Sequence, residues 1–166
     1  MATYSLISSV TLSSAGTQIE FTSIPNTYTD LVLKHSMRTS GDTRLRFNGS
    51  TSSYSERLLY GQGASAASAS NGGSGGWLEW AALANNPVGT SIFGNSEIYI
   101  PNYAGSNNKS SLSDNITENS SATGNNIYLD AGLWANSAAI TSILIYASSG
   151  TFAQYSSAYL YGISNA

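Results

Sequence analysis

The sequence predicts an all-β chain folded as a single-domain antiparallel β-sandwich, jelly-roll-like in its connections. Apolar and polar residues alternate with a period of two along most of the chain. No window of about 11 residues sustains an amphipathic helical period. Ser, Thr, Asn and Gly together make up 76 of the 166 residues, and these types weaken helices while suiting strands, turns and hydrogen-bonded loops. A chain of this length can hide roughly 68–70% of its unfolded surface, and with 41% apolar residues one self-sufficient core is expected.

The elements follow in order. Tyr4 to Leu12 alternates loosely, and after the Ser13-Ser14-Ala15-Gly16 turn comes a short strand at Ile19 to Phe21. The clearest strand is Leu31 to Arg38, with Leu31, Leu33, His35 and Met37 on one face and Val32, Lys34, Ser36 and Arg38 on the other. Leu45 and Phe47 oppose Arg44, Arg46 and Asn48, and Asn48-Gly49 is a turn signal. Arg57 to Tyr60 and Trp77 to Leu83 read as strands on either side of a spacer, Gly61 to Gly76, whose Gly, Ala, Ser, Asn and Gln content predicts a long loop over 61–76. Ile92 to Ile100 is a strand closed by Pro101. A second long loop is expected at 102–126, with one short strand around Leu112 to Ile116. Ile127, Leu129, Ala131 and Leu133 alternate with Tyr128, Asp130, Gly132 and Trp134. Ile140 to Ala147 is a nearly continuous apolar run, as in a strand covered on both faces. Tyr155, Ser157, Tyr159, Tyr161 and Ile163 then share a face, opposed by Ala158, Leu160 and Gly162.

Composition narrows the function. Charged residues are 9% of the chain and the net charge is −3, a surface too neutral to stay dispersed by charge repulsion. Such surfaces suit proteins held in assemblies, and the 11 tyrosines offer apolar area with a polar tip for contacts. Six scattered basic residues make no phosphate-binding patch, so no nucleic-acid partner is expected. The chain has no cysteine, which removes disulfides, thiolate metal sites and thiol nucleophiles. No apolar run reaches the roughly 20 residues of a membrane span, and the N-terminus shows no secretory leader.

The chemistry-bearing residues are few. The only histidine, His35, lies on an apolar strand face and reads as a buried, hydrogen-bonded core residue. No GxSxG-type nucleophile accompanies it, and zinc would lack ligands. Glu97, Asp114, Glu118 and Asp130 could in principle pair as glycosidase acid and base, or Asp114 and Glu118 could join a calcium site in the 102–126 loop. Neither motif has diagnostic spacing, so no catalytic residue, cofactor or metal is assigned. Gly61-Gln62-Gly63 lacks the strand–helix context of a dinucleotide fingerprint. Glycosylation-like triplets begin at Asn48, Asn108, Asn115 and Asn119, as chance provides in so Asn- and Ser-rich a chain. Trp77, Trp80 and Trp134 could stack on sugar rings; core packing is the plainer expectation, and the odd spacing of Trp77 and Trp80 keeps them off one strand face.

Four strings, in order and spacing, carry a resemblance: Phe21-Thr-Ser-Ile-Pro-Asn-Thr-Tyr-Thr-Asp-Leu-Val-Leu-Lys34, Leu45-Arg-Phe-Asn-Gly49, Ser96-Glu-Ile-Tyr-Ile-Pro-Asn-Tyr-Ala-Gly-Ser106 and Ala158-Tyr-Leu-Tyr-Gly-Ile163. Together the chain resembles virion structural proteins of tailed bacteriophages, especially phages of aquatic bacteria. The resemblance implies a non-enzymatic place on the virion, made in the host cytoplasm and exposed after lysis. It brings no binding residues with it. The leading expectation is a capsid decoration or cement protein that bridges major capsid proteins and associates with itself, as a trimer on capsid symmetry grounds. The alternative is a tail-fibre tip or other receptor-binding module that recognises host surface glycans.

Overall fold

The computed structural model describes residues 3–39, 41–80, 92–118 and 126–164. Among them are twelve strands in two antiparallel sheets and no helix. Eight strands make the frame: β1 (Thr3–Thr11), β2 (Gln18–Phe21), β3 (Asp30–Met37), β4 (Thr43–Phe47), β7 (Leu78–Trp80), β8 (Gly94–Ile100), β11 (Ile143–Ala147) and β12 (Ser157–Ser164). The remaining four are β5 (Tyr54–Gln62) with β6 (Ser65–Gly75), and β9 (Lys109–Thr117) with β10 (Asn126–Trp134).

Frame strands pair as nested partners, outermost with outermost: β1 with β12, β2 with β11, β3 with β8 and β4 with β7. That nesting is the pattern of a jelly roll, so the expected architecture is the one observed. The two additional strand pairs interrupt the frame between β4 and β7 and between β8 and β11. Both dock on the same edge, beside β8. One sheet therefore has eight strands, ordered β1-β12-β3-β8-β9-β10-β5-β6, and the other has four, ordered β2-β11-β4-β7.

The core lies where the sheets face each other. Leu31, Leu33 and Met37 of β3, Ile98 and Ile100 of β8 and Leu160 of β12 are packed against Ile19, Phe21, Leu45, Phe47, Ile143 and Ile145 of the smaller sheet. These are the alternating faces expected from the period of two. In β1 the ladder slips between Leu6 and Ser8. This bulge lets Leu6 point outward while Ile7 and Val10 still pack on the core. Gly162 is required on the inner face of β12, because a Cβ there would lie 2.2 Å from the Tyr28 ring.

The junction between frame and addition is aromatic. Asn48 and Gly49 both have positive φ, 52° and 65°, and turn the chain from β4 in one sheet towards β5 in the other rather than closing a hairpin. Beyond the turn, Phe47, Tyr54 and Trp134 form a triad, with Tyr54 stacked on Trp134 at 6.1 Å and Phe47 tilted against Trp134 at 5.7 Å. The Tyr54 hydroxyl accepts from the Phe47 N–H at 2.8 Å, and Trp134 Nε1 donates to Ser50 Oγ at 3.2 Å. The Asn48 side chain accepts from the Thr141 and Ser142 N–H groups at 2.8 and 3.0 Å and donates to the Ala139 carbonyl at 2.7 Å. It thereby ties the turn to the approach of β11.

Several sequence expectations need correction. The segment 61–76 is not a long loop: β6 runs Ser65–Gly75 and pairs with β5 through a tight turn at Gly63, where φ is +57°. Small residues were read as a spacer, but an edge strand with one paired side needs few packing side chains. The 102–126 segment holds a nine-residue strand, β9, where a short one was expected. The strand expected over Ile140 to Ala147 begins at Ile143, and its Leu144 and Tyr146 are half-buried rather than covered on both faces. Of the strand expected at Trp77 to Leu83, Leu78–Trp80 is observed, and 81–83 lie outside the described residues.

The triad supplies a direct test. Trp134→Ala is expected to lower unfolding free energy by about 3–5 kcal/mol, because a fully buried ring is replaced by a cavity. Tyr54→Phe, which keeps the ring and loses the hydroxyl contacts with Phe47, is expected to cost about 1 kcal/mol. Chemical denaturation measures both; equal costs would mean that the packing of the triad contributes nothing special.

Candidate interaction surface

The inward side of the larger sheet changes character between the frame strands and the added strands. On β3, β8 and β12 the inward residues are apolar except His35 and Ser96. On β9 the buried side is Lys109, Ser111, Ser113, Asn115 and Thr117, whereas Leu112 and Ile116 are each 50% exposed. On β10 Asp130 is fully buried while Ile127, Leu129 and Leu133 face outward. On β5 Glu56 is buried and Leu59 is 59% exposed. On β9 the phase places polar residues inside and aliphatic residues outside, while β5 and β10 also bury Tyr54, Leu58 and Trp134 on the side of Glu56 and Asp130.

The consequence is an apolar outer face. Among the described residues eleven large apolar or tyrosine side chains stand exposed, and ten of them lie on the outer side of the eight-stranded sheet; only Tyr155 lies elsewhere. The face has two halves. Over the frame, Tyr4, Leu6, Tyr99 and Tyr159 surround a Lys34–Glu97 ion pair of 2.7 Å. A groove of about 390 Å³ there is lined by Tyr159, Lys34, Glu97, Asp114 and Ile116. Over the added strands the face is aliphatic, with a groove of about 530 Å³ lined by Arg57, Leu59, Leu112, Leu129 and Ala131. Contiguous exposed apolar surface of this kind marks a contact site.

The inner face of the added strands has its own electrostatics. Asp130 Oδ2 accepts from Asn115 Nδ2 at 2.8 Å and from Ser113 Oγ at 3.3 Å, while its Oδ1 has no hydrogen-bond partner. Burial, reinforced by the nearby charge of Glu56 and opposed by those two hydrogen bonds, raises the Asp130 carboxyl to about 7. Gly132 leaves the space beside it to Leu78 and Ser111; a Cβ would lie 3.0 Å from Leu78 Cδ2 and 2.5 Å from Ser111 Oγ. Lys109 is buried too, with its ammonium donating to the Gly105 and Asn107 carbonyls of the turn that precedes it. Burial lowers its pKa.

The residues singled out in the sequence do not converge. His35 is buried in the core as expected, but neither ring nitrogen has a hydrogen-bond partner, which corrects the expectation that it would be hydrogen-bonded. Burial pushes its pKa down to about 4, so it is neutral. Glu97 and Asp114 are register partners on the outer face, where Asp114 Oδ1 accepts from the Glu97 N–H at 3.2 Å. Asp130 lies on the opposite face of the same sheet, and Glu118 follows the end of β9. Among the described residues no three acidic or histidine side chains group as metal ligands, and the segment proposed for calcium is extended strand from Lys109 to Thr117. Gly61 and Gln62 are in β5 and Gly63 turns the hairpin. Asn115 is fully buried and Asn48 is committed to its turn; Asn108 is exposed, and Asn119 lies outside the described residues.

Of the tryptophans, Trp134 is core. Trp77 lies beneath the Arg44 guanidinium, 4.1 Å from its ring centre, and 5.9 Å from that of Arg46. Arg46 also stands 4.8 Å over Tyr146, and Arg38 5.3 Å over Phe93. Three of the five arginine and lysine side chains outside the Lys34 ion pair are thus laid on aromatic rings. The aliphatic face is not legible in residue order, because alternation reveals two faces without telling which one turns inward. Comparison with family models, with curated proteins and with solved structures finds no match to this chain.

The two buried titrating groups predict an unusual pH profile. His35 is about 6.5 when unfolded and about 4 when folded; the unfolded chain binds the extra proton, so its contribution, on the order of 3 kcal/mol, is present above pH 6.5 and lost as pH falls to 4. Asp130 has the opposite sign: folded at about 7 against 3.8, it stabilises at low pH and loses that contribution as pH rises through 7. Between about pH 4 and 6.5 the two slopes cancel. Denaturation midpoints of the wild type should therefore be nearly flat there, those of Asp130→Asn should rise with pH, and those of His35→Leu should fall. Parallel profiles for all three proteins would refute both assignments.

Proposed function

We propose that this protein is a structural component of a tailed-phage virion, a decoration or cement protein that lies on the outer capsid shell through the outer face of its eight-stranded sheet. The observation that carries the proposal is the reversed polarity of the sheet: aliphatic and tyrosine side chains are spent on the outside, where they stabilise the protein only when something covers them. A chain with only 9% charged residues supports the same reading, because an assembled protein does not need charge to stay dispersed.

The four strings that resemble phage virion proteins support a particle setting. They fall on the end of β2 and β3, on β4 and its turn, on β8 and its following turn, and on β12. All belong to the jelly-roll frame, and none lies on β5, β6, β9 or β10 apart from the turn leading into β9. The frame half of the outer face, bearing Tyr4, Leu6, Tyr99 and Tyr159, is the part we assign to the shell. Attachment to assembled shell and not to free subunits would stabilise the shell by linkage. The glycan-recognition alternative draws less support, since Trp134 is buried and Trp77 is stacked under Arg44, leaving neither ring bare for a sugar.

Purified protein is expected to bind shells that lack it, saturating at a fixed stoichiometry, and to lose little binding between low and molar salt, because screening weakens charge pairs and not apolar burial. Leu6→Glu and Tyr159→Ser should each weaken attachment without changing the fold. Binding to host polysaccharide with no affinity for shells would transfer the assignment to receptor recognition, and a steep salt dependence would make Arg38, Arg44, Arg46 and Arg57 the contact residues instead.

A further inference from the structure

The aliphatic half of the outer face carries a charge arrangement that identifies what covers it. Across β9, β10 and β5, residues of one row stand directly opposite each other. Ala131 of β10 lies between Leu112 and Arg57, and in the next row Leu129 lies between Asp114 and Leu59. Arg57 and Asp114 are therefore at diagonally opposite corners of a patch centred between Ala131 and Leu129. Both are exposed, and neither has an ion-pair partner among the described residues. Arg57 donates to the neighbouring Glu56 carbonyl, and Asp114 accepts a backbone N–H.

A diagonal pair of opposite charges about an apolar centre is self-complementary under a twofold rotation. When two copies meet face to face about an axis lying in the plane of contact, perpendicular to the line joining the two charges, Arg57 of each copy comes over Asp114 of the other. Leu112 and Leu59, at the remaining corners, are then brought to the ends of the contact, and Leu129 and Ala131 meet at its middle. An isologous contact requires this property of a surface, that the same patch serve both partners. Charges of one sign at these two positions would repel instead.

We propose that a second copy of this chain covers the β9–β10–β5 face, forming a twofold, sheet-on-sheet pair with reciprocal Arg57–Asp114 ion pairs. The proposal rests on the reading of this sheet face as a contact surface, and not on the shell being the other partner. It leaves the tyrosine-bearing frame half of each copy available for a different partner. It also replaces the threefold self-association expected from capsid symmetry with a twofold one.

The test uses the full-length protein alone, by sedimentation equilibrium and light scattering over a range of concentrations, with circular dichroism as a check that each variant is folded. The wild type is expected to have the mass of two chains. Leu129→Glu, an outward substitution at a half-exposed position, should give a folded protein with the mass of one chain. Arg57→Asp and Asp114→Arg should each weaken pairing by roughly tenfold or more, and the double variant should recover most of it, as coupled charges in an interface do. A wild type of one or three chains, a Leu129→Glu variant that pairs normally, or a double variant no better than the singles would overturn the proposal. Shell attachment by a one-chain wild type would defeat this pairing and leave the decoration reading standing. Pairing without shell attachment would do the reverse.

Discussion

A four-stranded sheet packs against an eight-stranded one, and most of what distinguishes this molecule lies in the four strands that the larger sheet adds to the frame. The jelly-roll frame is closed in the ordinary way, with apolar inner faces pressed together. The strands added beside β8 continue the hydrogen-bonded ladder of the larger sheet. Continuing the ladder satisfies their backbone groups, but it does not supply a second apolar layer. Their inner side carries serines, asparagine, threonine, lysine and two carboxylates beside Tyr54, Leu58 and Trp134, and most of their aliphatic side chains face out.

The Phe47–Tyr54–Trp134 triad makes this extension possible. It stands where the chain leaves β4 in one sheet for β5 in the other, and Trp134 at the end of β10 brings the second added pair to the same point. Three rings in mutual contact bury a large apolar area at the junction, and their polar atoms are satisfied by Phe47 and Ser50. Beyond the triad, the interior becomes a site of electrostatic cost. Asp130 is held to about 7, far above an ordinary carboxyl, because burial and the nearby Glu56 charge make its ionisation unfavourable. His35 in the frame core is held neutral for the same reason with the opposite charge.

The proposed function rests on surfaces. The same sheet presents two chemically distinct halves side by side, one with tyrosines around an ion pair and one aliphatic with charges at its corners. Two partners of different character on one face would let a small domain link copies of itself to a larger surface. The arginines of the smaller sheet contribute little to such contacts while Arg44 and Arg46 remain stacked on Trp77 and Tyr146.

Much of the fold was legible in residue order. The period of two in Leu31–Met37 and Ala158–Ile163, the Asn48-Gly49 turn and the poverty of helix formers determined an all-β sandwich, because alternation and turn chemistry are local properties. Strand β6 was illegible, since Ser, Ala and Gly look alike in a loop and in an edge strand. The phase of Ile127–Trp134 was illegible for a deeper reason. Alternation defines two faces, and only tertiary packing decides which one is buried. Residue order dictates that Leu129 and Asp130 point in opposite directions; packing puts Asp130 inside, where Asn115 and Ser113 donate to its carboxylate.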